Sequence, residues 1–167
     1  YLPDTPIFYD YLRGREILVF VGEMHGLDRN ESERRADELM KDLGLDDASE
    51  EFAVNYSLGM KKKLGLCCAL IHGPQVLILD EPTNGLDPRA AREVQDRLRK
   101  SAEQGKTIFL STHLLDMAER LCGRVGIIDQ GGLVAVGPPV ELRNKLAAGG
   151  SLEELFLKVT QGHPEPT

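Results

Sequence analysis

The stretch Val76-Leu77-Ile78-Leu79-Asp80-Glu81-Pro82-Thr83 places the tightest constraint on the fold. Four aliphatic residues in succession, without apolar and polar residues alternating, read as a buried strand of a parallel sheet. Two carboxylates follow directly. Carboxylates at the end of a buried strand lose solvation unless a partner or ligand compensates. The common use of such a pair is to hold magnesium and to position water beside a nucleotide phosphate. The plainer alternative is a core strand that runs into an acidic turn, and the neighbouring segments bear on that choice.

Helical and strand patterns surround this run. Pro3 and Pro6 keep the first ten residues extended or turn-rich. Ile17, Leu18, Val21 and Met24 recur at helical spacing and predict a helix over residues 14–25, stopped by Gly26. A second helix is predicted over residues 30–43, with Asn30 as its cap, Glu33 three residues on and Gly44 past its end. A third is expected over residues 57–71, closed by Gly73-Pro74. Asp87-Pro88 supplies an N-cap and first residue for a helix near 88–104, with Ala91, Val94 and Leu98 facing inward. Residues 107–111 read as a second buried strand and 114–121 as a short helix. Residues 124–129 and 133–136 are expected to form two strands joined through Gly131-Gly132. Pro138-Pro139 opens a helix to about residue 146, residues 152–159 form the last, and 163–167 make a polar tail expected to be disordered. The order is helices, then strand alternating with helix, then a hairpin. It predicts an α/β chain in which a helical subdomain precedes a mainly parallel sheet core, divided at 1–73, 74–137 and 138–167.

Composition narrows the class. At 167 residues the chain suits one domain, or one with a small appendage. Apolar content of 41% with no continuous apolar stretch near 18 residues fits a soluble globular protein. The opening Tyr1-Leu2-Pro3-Asp4-Thr5-Pro6 has neither a Met nor a signal-peptide pattern, as in a fragment or processed chain. Cys67, Cys68 and Cys122 make no CxxC pair and read as reduced, buried thiols. Residues 1–56 hold 14 acidic against 6 basic side chains, which argues against nucleic acid as the main partner. Lys61-Lys62-Lys63 is the tight basic cluster, expected to be a solvated helix face.

Other elements bear on the carboxylates. In Asn55-Tyr56-Ser57-Leu58-Gly59-Met60, a Ser and a Gly at a helix start offer N–H groups, a hydroxyl and a positive dipole end to a phosphate, although a plain Ser N-cap explains the same residues. Asn84-Gly85-Leu86-Asp87 is a tight turn just past the carboxylates. Ser111-Thr112-His113 ends the second strand in a His, a residue that in isolation is more often structural than functional.

In this order and spacing, these motifs closely resemble the second half of an ABC-type ATPase, the nucleotide-binding subunit of ATP-binding cassette transporters. Residues 56–60 look like a variant of the signature LSGGQ, 76–81 like Walker B with the catalytic Glu, 84–87 like the D-loop, and His113 like the switch histidine. Tyr1-Leu2-Pro3-Asp4 looks like the Q-loop region, with Asp4 where the family usually has Gln. The resemblance covers essentially the whole chain and implies a partial P-loop NTPase fold. It implies ATP and Mg2+ as ligands, with Glu81 polarising the attacking water and His113 contacting the γ-phosphate. Asp80 and Asp4 would serve the metal. Ser57, Gly59 and Met60 would face nucleotide on the opposite subunit, and Asp87 the dimer seam. The implied partners are membrane-spanning transporter subunits and a second ATP-binding subunit in a head-to-tail dimer, with no nucleic acid, at the cytoplasmic face of the cell membrane.

The chain departs from the family pattern in places. Leu58 stands at the first Gly of the signature and Met60 at its Gln. No Gly-x-x-x-x-Gly-Lys-Ser/Thr occurs. Gly105-Lys106-Thr107 is a false match, because Lys100 stands where the first Gly belongs and the segment precedes a strand. A fragment without Walker A is therefore expected, with an open apolar sheet edge. The ending Gly150-Ser151-Leu152-Glu153-Glu154-Leu155-Phe156-Leu157 resembles the C-terminal helix of ATPases serving drug, antibiotic or ABC-2-type exporters, although core packing by Leu152, Leu155 and Phe156 would explain it equally. Residues 10–27 resemble the helical domain on which a membrane subunit's coupling helix docks. A non-transport ABC ATPase would normally add a second cassette, a coiled-coil insertion or a basic surface. A non-catalytic folding or interaction module is the other alternative for the isolated chain.

Overall fold

The computed structural model describes residues 1–144 and 151–160. It resolves into two units, Tyr1–Thr112 and His113–Thr167. In the first, helices α1 (Gly14–Met24), α2 (Arg29–Asp42) and α3 (Leu58–Leu70) pack against one another. The first and third follow the sequence pattern closely. The second is capped by Asp28, which accepts the Glu31 N–H at 2.9 Å, and not by Asn30 as expected. Asp and Asn cap equally well, and Asp28 leaves the preceding Gly26 turn early enough to take the role.

Helix α3 is apolar around most of its circumference and buries Leu64, Leu66, Cys67, Ala69 and Leu70. The expected solvated lysine face therefore does not form. At about 100° per residue, three consecutive side chains fan across about 200° of the helix and cannot share one face. Lys62 is only 4% exposed, and Lys63 reaches Glu93 at 2.5 Å. Cys67 is fully buried, and its thiol donates to the Leu39 carbonyl at 3.7 Å. Burial pushes that thiol well above its ordinary pKa, so it stays protonated and unreactive. Iodoacetamide at neutral pH should leave Cys67 unmodified in the folded protein and label it on denaturation, which peptide mass spectrometry can read.

Strands β1 (Val76–Asp80) and β2 (Thr107–Ser111) pair in parallel, joined by helix α4 (Pro88–Glu103). Their register sets Asp80 opposite Ser111. On the other edge of β1, the Leu2 N–H donates to Ile78 O at 2.9 Å and its carbonyl accepts the Asp80 N–H at 2.8 Å. The edge expected to be open is thus paired at this point. The β1 run is not buried on both faces. Leu77 and Leu79 are enclosed, whereas Val76, Ile78 and Phe109 are 55%, 49% and 68% exposed. A run apolar on both sides suits a sheet covered by two layers, and the described residues cover one.

The second unit contains α5 (Leu115–Leu121), β3 (Val125–Asp129), β4 (Gly132–Gly137), α6 (Pro139–Asn144) and α7 (Leu152–Thr160). Ala118, Ile127, Leu142, Leu152 and Leu155 form its core. The β3–β4 turn falls on Gln130-Gly131, with φ of 47° and 79°, one residue before the expected Gly131-Gly132. A type I′ turn needs left-handed backbone at both central residues, so one Gly at the second position suffices and Gly132 joins the strand opposite Asp129. The predicted extension of α6 to residue 146 and the polar tail at 163–167 lie outside the described residues. No helix among the described residues is long and apolar enough to cross a membrane.

Candidate functional site

The parallel register brings the Walker B-like carboxylates to the C-terminal end of the sheet, where α/β folds bind ligands. The Ser111 hydroxyl donates to Asp80 Oδ1 across the strand pair. At Glu81 the chain then turns sharply through left-handed backbone, with φ of 44°. Such a conformation is strained for a residue with a side chain and persists only where neighbours fix it. Those neighbours are identifiable. The Glu81 N–H donates to Ser111 O at 3.1 Å, and the Asn84 N–H donates to the Glu81 carbonyl at 3.2 Å. Lys62 Nζ donates to the same carbonyl at 2.8 Å, and the Thr112 hydroxyl donates to Glu81 Oε2 at 3.2 Å.

Lys62 extends the network to the first residues of the chain. Its ammonium also lies 2.9 Å from Asp4 Oδ1. Sequence reasoning gave Lys62 no role. No local signal marks it, because the inward turn of Lys62 comes from α3 being enclosed on several sides.

The signature-like residues sit at the start of α3. Ser57 is the N-cap and its Oγ accepts the Met60 N–H at 3.2 Å. Leu58, at the position of the usual first Gly, is half exposed and leans over the turn at 84–87. A Cβ on Gly85 would come within 3.0 Å of Leu58 Cδ2, and one on Gly59 would lie 3.5 Å from Leu86 Cδ2. The signature-like and D-loop-like segments are therefore packed together. Asp87 caps α4, accepting from the Arg89 and Ala90 N–H groups at 2.9 and 3.0 Å. The bond from Ala90 foremost holds its carboxyl below the usual range. His113 follows Thr112 directly and opens the second unit.

Among the described residues no cluster of three or more His, Cys, Asp or Glu side chains forms a metal cage. Asp80 and the Ser111 hydroxyl bonded to it nonetheless put hard oxygen donors side by side at the end of the strand pair. Magnesium ordinarily takes one or two carboxylates, retains water and completes its shell with substrate phosphates, so this donor set suits it.

Family comparisons bear on the whole arrangement. A family model described as "AAA domain, putative AbiEii toxin, Type IV TA system" matches residues 9–115. An uncharacterised ABC transporter ATP-binding protein of Bacillus subtilis, YthP, is 36% identical over 163 residues, which span 97% of this chain and 69% of YthP. The chain belongs to the ABC transporter ATP-binding proteins. As an ABC ATP-binding chain it is also 35% identical to the linearmycin resistance ATP-binding protein LnrL of B. subtilis, across 87% of its own length and 47% of LnrL. It is 37% identical to the daunorubicin/doxorubicin resistance ATP-binding protein DrrA of Streptomyces peucetius, across 92% of its own length and 46% of DrrA. The ABC chain thus spans about half the length of these drug-resistance relatives. A solved ATP-binding subunit of an ABC transporter matches it with a TM-score of 0.85 and 35% identity, over 95% of this chain and 67% of that one. The α/β architecture expected from the sequence, a partial P-loop NTPase fold of the ABC kind, is the fold of this chain.

Proposed function

We propose that this chain is the signature and Walker B portion of an ATP-hydrolysing subunit that drives an ABC exporter. The observation that carries the reading is Glu81. Its carboxylate follows the last residue of a parallel strand and is anchored by Thr112, while backbone and Lys62 contacts fix its peptide in a strained turn. That is how a group must be held if it is to polarise one water in line with a γ-phosphate.

In this reading Glu81 accepts the proton of the attacking water. Asp80, oriented by the Ser111 hydroxyl, takes magnesium, with Asp4 as a further carboxylate on the approach from the Q-loop side. Magnesium held by these carboxylates would neutralise charge on the phosphate oxygens. His113 contacts the γ-phosphate. Ser57, Gly59 and Met60 meet nucleotide held by a second subunit through the positive end of α3, and Asp87 lies at the seam of that head-to-tail dimer. The membrane-spanning partner docks its coupling helix on the helical subdomain, where Tyr9, Asp10, Tyr11, Leu12 and Phe20 line a cavity of about 440 Å³. Tyr9 and Tyr11 are 72% and 81% exposed there. Such a subunit works at the cytoplasmic face of the membrane. The names of the drug-resistance relatives favour export as the direction of transport.

For the 167 residues taken alone, a second reading has its own support: the sequence contains no Gly-x-x-x-x-Gly-Lys-Ser/Thr cradle. The isolated chain should then give no magnesium-ATP binding by calorimetry. The full-length protein, assembled with its membrane subunit in liposomes, should hydrolyse ATP. An assembled full-length protein without ATPase activity would overturn the exporter reading, and stoichiometric ATP binding by the isolated chain would overturn the second.

A further inference from the structure

Lys62 is the charged side chain that the sequence pattern least accounts for. It projects from the second turn of α3 into the protein, 4% exposed, between two chain segments far apart in sequence. One is the Asp4 carboxylate at 2.9 Å, and the other is the Glu81 carbonyl at 2.8 Å. An ammonium so deeply enclosed needs a counter-charge and more than one acceptor, and this site provides both. Lysine suits the task because its compact ammonium donates in several directions, whereas Arg would present a planar fork.

The acceptor on the Glu81 side matters most. Glu81 is the residue whose backbone lies in the left-handed region, and its carbonyl otherwise receives the Asn84 N–H within its own turn. Lys62 ties that strained peptide to α3, the helix whose N-cap is Ser57. The same ammonium ties the Asp4 segment to both. Asp4 at the usual Gln position thus gains a role that Gln lacks, because its charge balances the buried Lys62.

We infer that Lys62 is a positioning residue for ATP hydrolysis, setting the peptide of Glu81 from the signature helix with Asp4 as its counter-ion. The inference rests on Glu81 being the water-polarising group, and it assigns the aim of that group to a side chain outside the recognised motifs. Lys62 is enclosed by protein, with its ammonium on Asp4 and the Glu81 carbonyl. It acts through the Glu81 carbonyl, so its loss should slow the chemical step and spare nucleotide binding.

The test uses the full-length protein with its membrane subunit, comparing wild type, Lys62→Met and Lys62→Gln. Each is checked by thermal melting, and kcat, KM for magnesium-ATP and equilibrium affinity for a fluorescent ATP analogue are measured below its melting temperature. Lys62→Met keeps the length and apolar stem but has no donor. It should lower kcat by roughly 10²-fold, the scale of an ångström-sized misplacement of a reacting group, with KM and nucleotide affinity within about twofold. If Lys62→Met does not fold, Lys62→Gln decides. Its arm is shorter by about 1.5 Å, one bond length, and cannot span both acceptors. It should lower kcat at least about tenfold with the same unchanged affinity. A folded variant with kcat near wild type would overturn the inference, as would a loss of nucleotide affinity in step with kcat. Wild type without ATPase activity would instead remove the exporter reading itself, so the two failures are distinguishable.

Discussion

Glu81→Gln should reduce ATP turnover in the full-length protein by on the order of 10³-fold while leaving magnesium-ATP affinity within about threefold. The substitution is nearly isosteric. The Gln amide oxygen can still accept the Thr112 hydroxyl that now reaches Glu81 Oε2 at 3.2 Å, and the backbone bonds to Ser111 and from Asn84 and Lys62 are untouched. Geometry is therefore kept and only the capacity to take a proton is lost. Nucleotide binding depends on other groups, so the variant should trap ATP without hydrolysing it. Equilibrium binding together with single-turnover hydrolysis separates these quantities. Near-normal turnover by Glu81→Gln would remove Glu81 from the water-polarising role, and lost ATP affinity would mean that its charge serves binding.

Much of this site was legible because short local rules govern it. A Ser or Asp before a helical pattern is an N-cap wherever the helix forms, and Ser57 and Asp87 both are. Aliphatic runs ending in Asp80 and Ser111 predict strands, and their observed parallel register sets these two residues side by side. What the sequence hid depends on packing in three dimensions. The burial of Lys62 follows from α3 being enclosed on several sides, which no window around Lys61-Lys62-Lys63 reports. The strained backbone of Glu81 follows from contacts with residues 19 and 31 positions away, so nothing local announces it. The choice of Asp28 over Asn30, and of Gln130-Gly131 over Gly131-Gly132, shifts by one or two residues what propensity had placed almost correctly. Val76 and Ile78 illustrate the opposite failure. Their apolar character fits a second covering layer, and the described residues leave them exposed.

Gly14→Ala should destabilise the protein, although the same change in an ordinary helix stabilises it by about 1 kcal/mol. Gly14 is the first residue of α1, and a Cβ there would meet Tyr56 Oη at 2.0 Å, Tyr56 Cζ at 2.8 Å and Met40 Cε at 3.2 Å. Neither neighbour can easily yield. Met40 is 1% exposed and Tyr56 4%, and the Tyr56 hydroxyl is committed to the Ala48 carbonyl at 2.7 Å. Burial pushes that phenol up to about 12, so it remains a donor at any working pH. Overpacking of this kind costs about 1–3 kcal/mol, and a carbonyl left unpaired adds about 1–3 kcal/mol. A net loss of about 3 kcal/mol lowers the melting temperature by roughly 10 °C for a chain of this size. The clash is specific to one atom, so Tyr56→Phe, which removes Oη, should recover part of the loss when combined with Gly14→Ala. The effect reaches function because Tyr56 immediately precedes Ser57, the cap of the signature helix. A ring forced off Ala48 moves that cap, and ATPase activity should fall further than the folded fraction alone accounts for. A Gly14→Ala protein that melts at or above wild type would show that Tyr56 can move aside freely, and the start of α3 would then owe nothing to the close approach at Gly14.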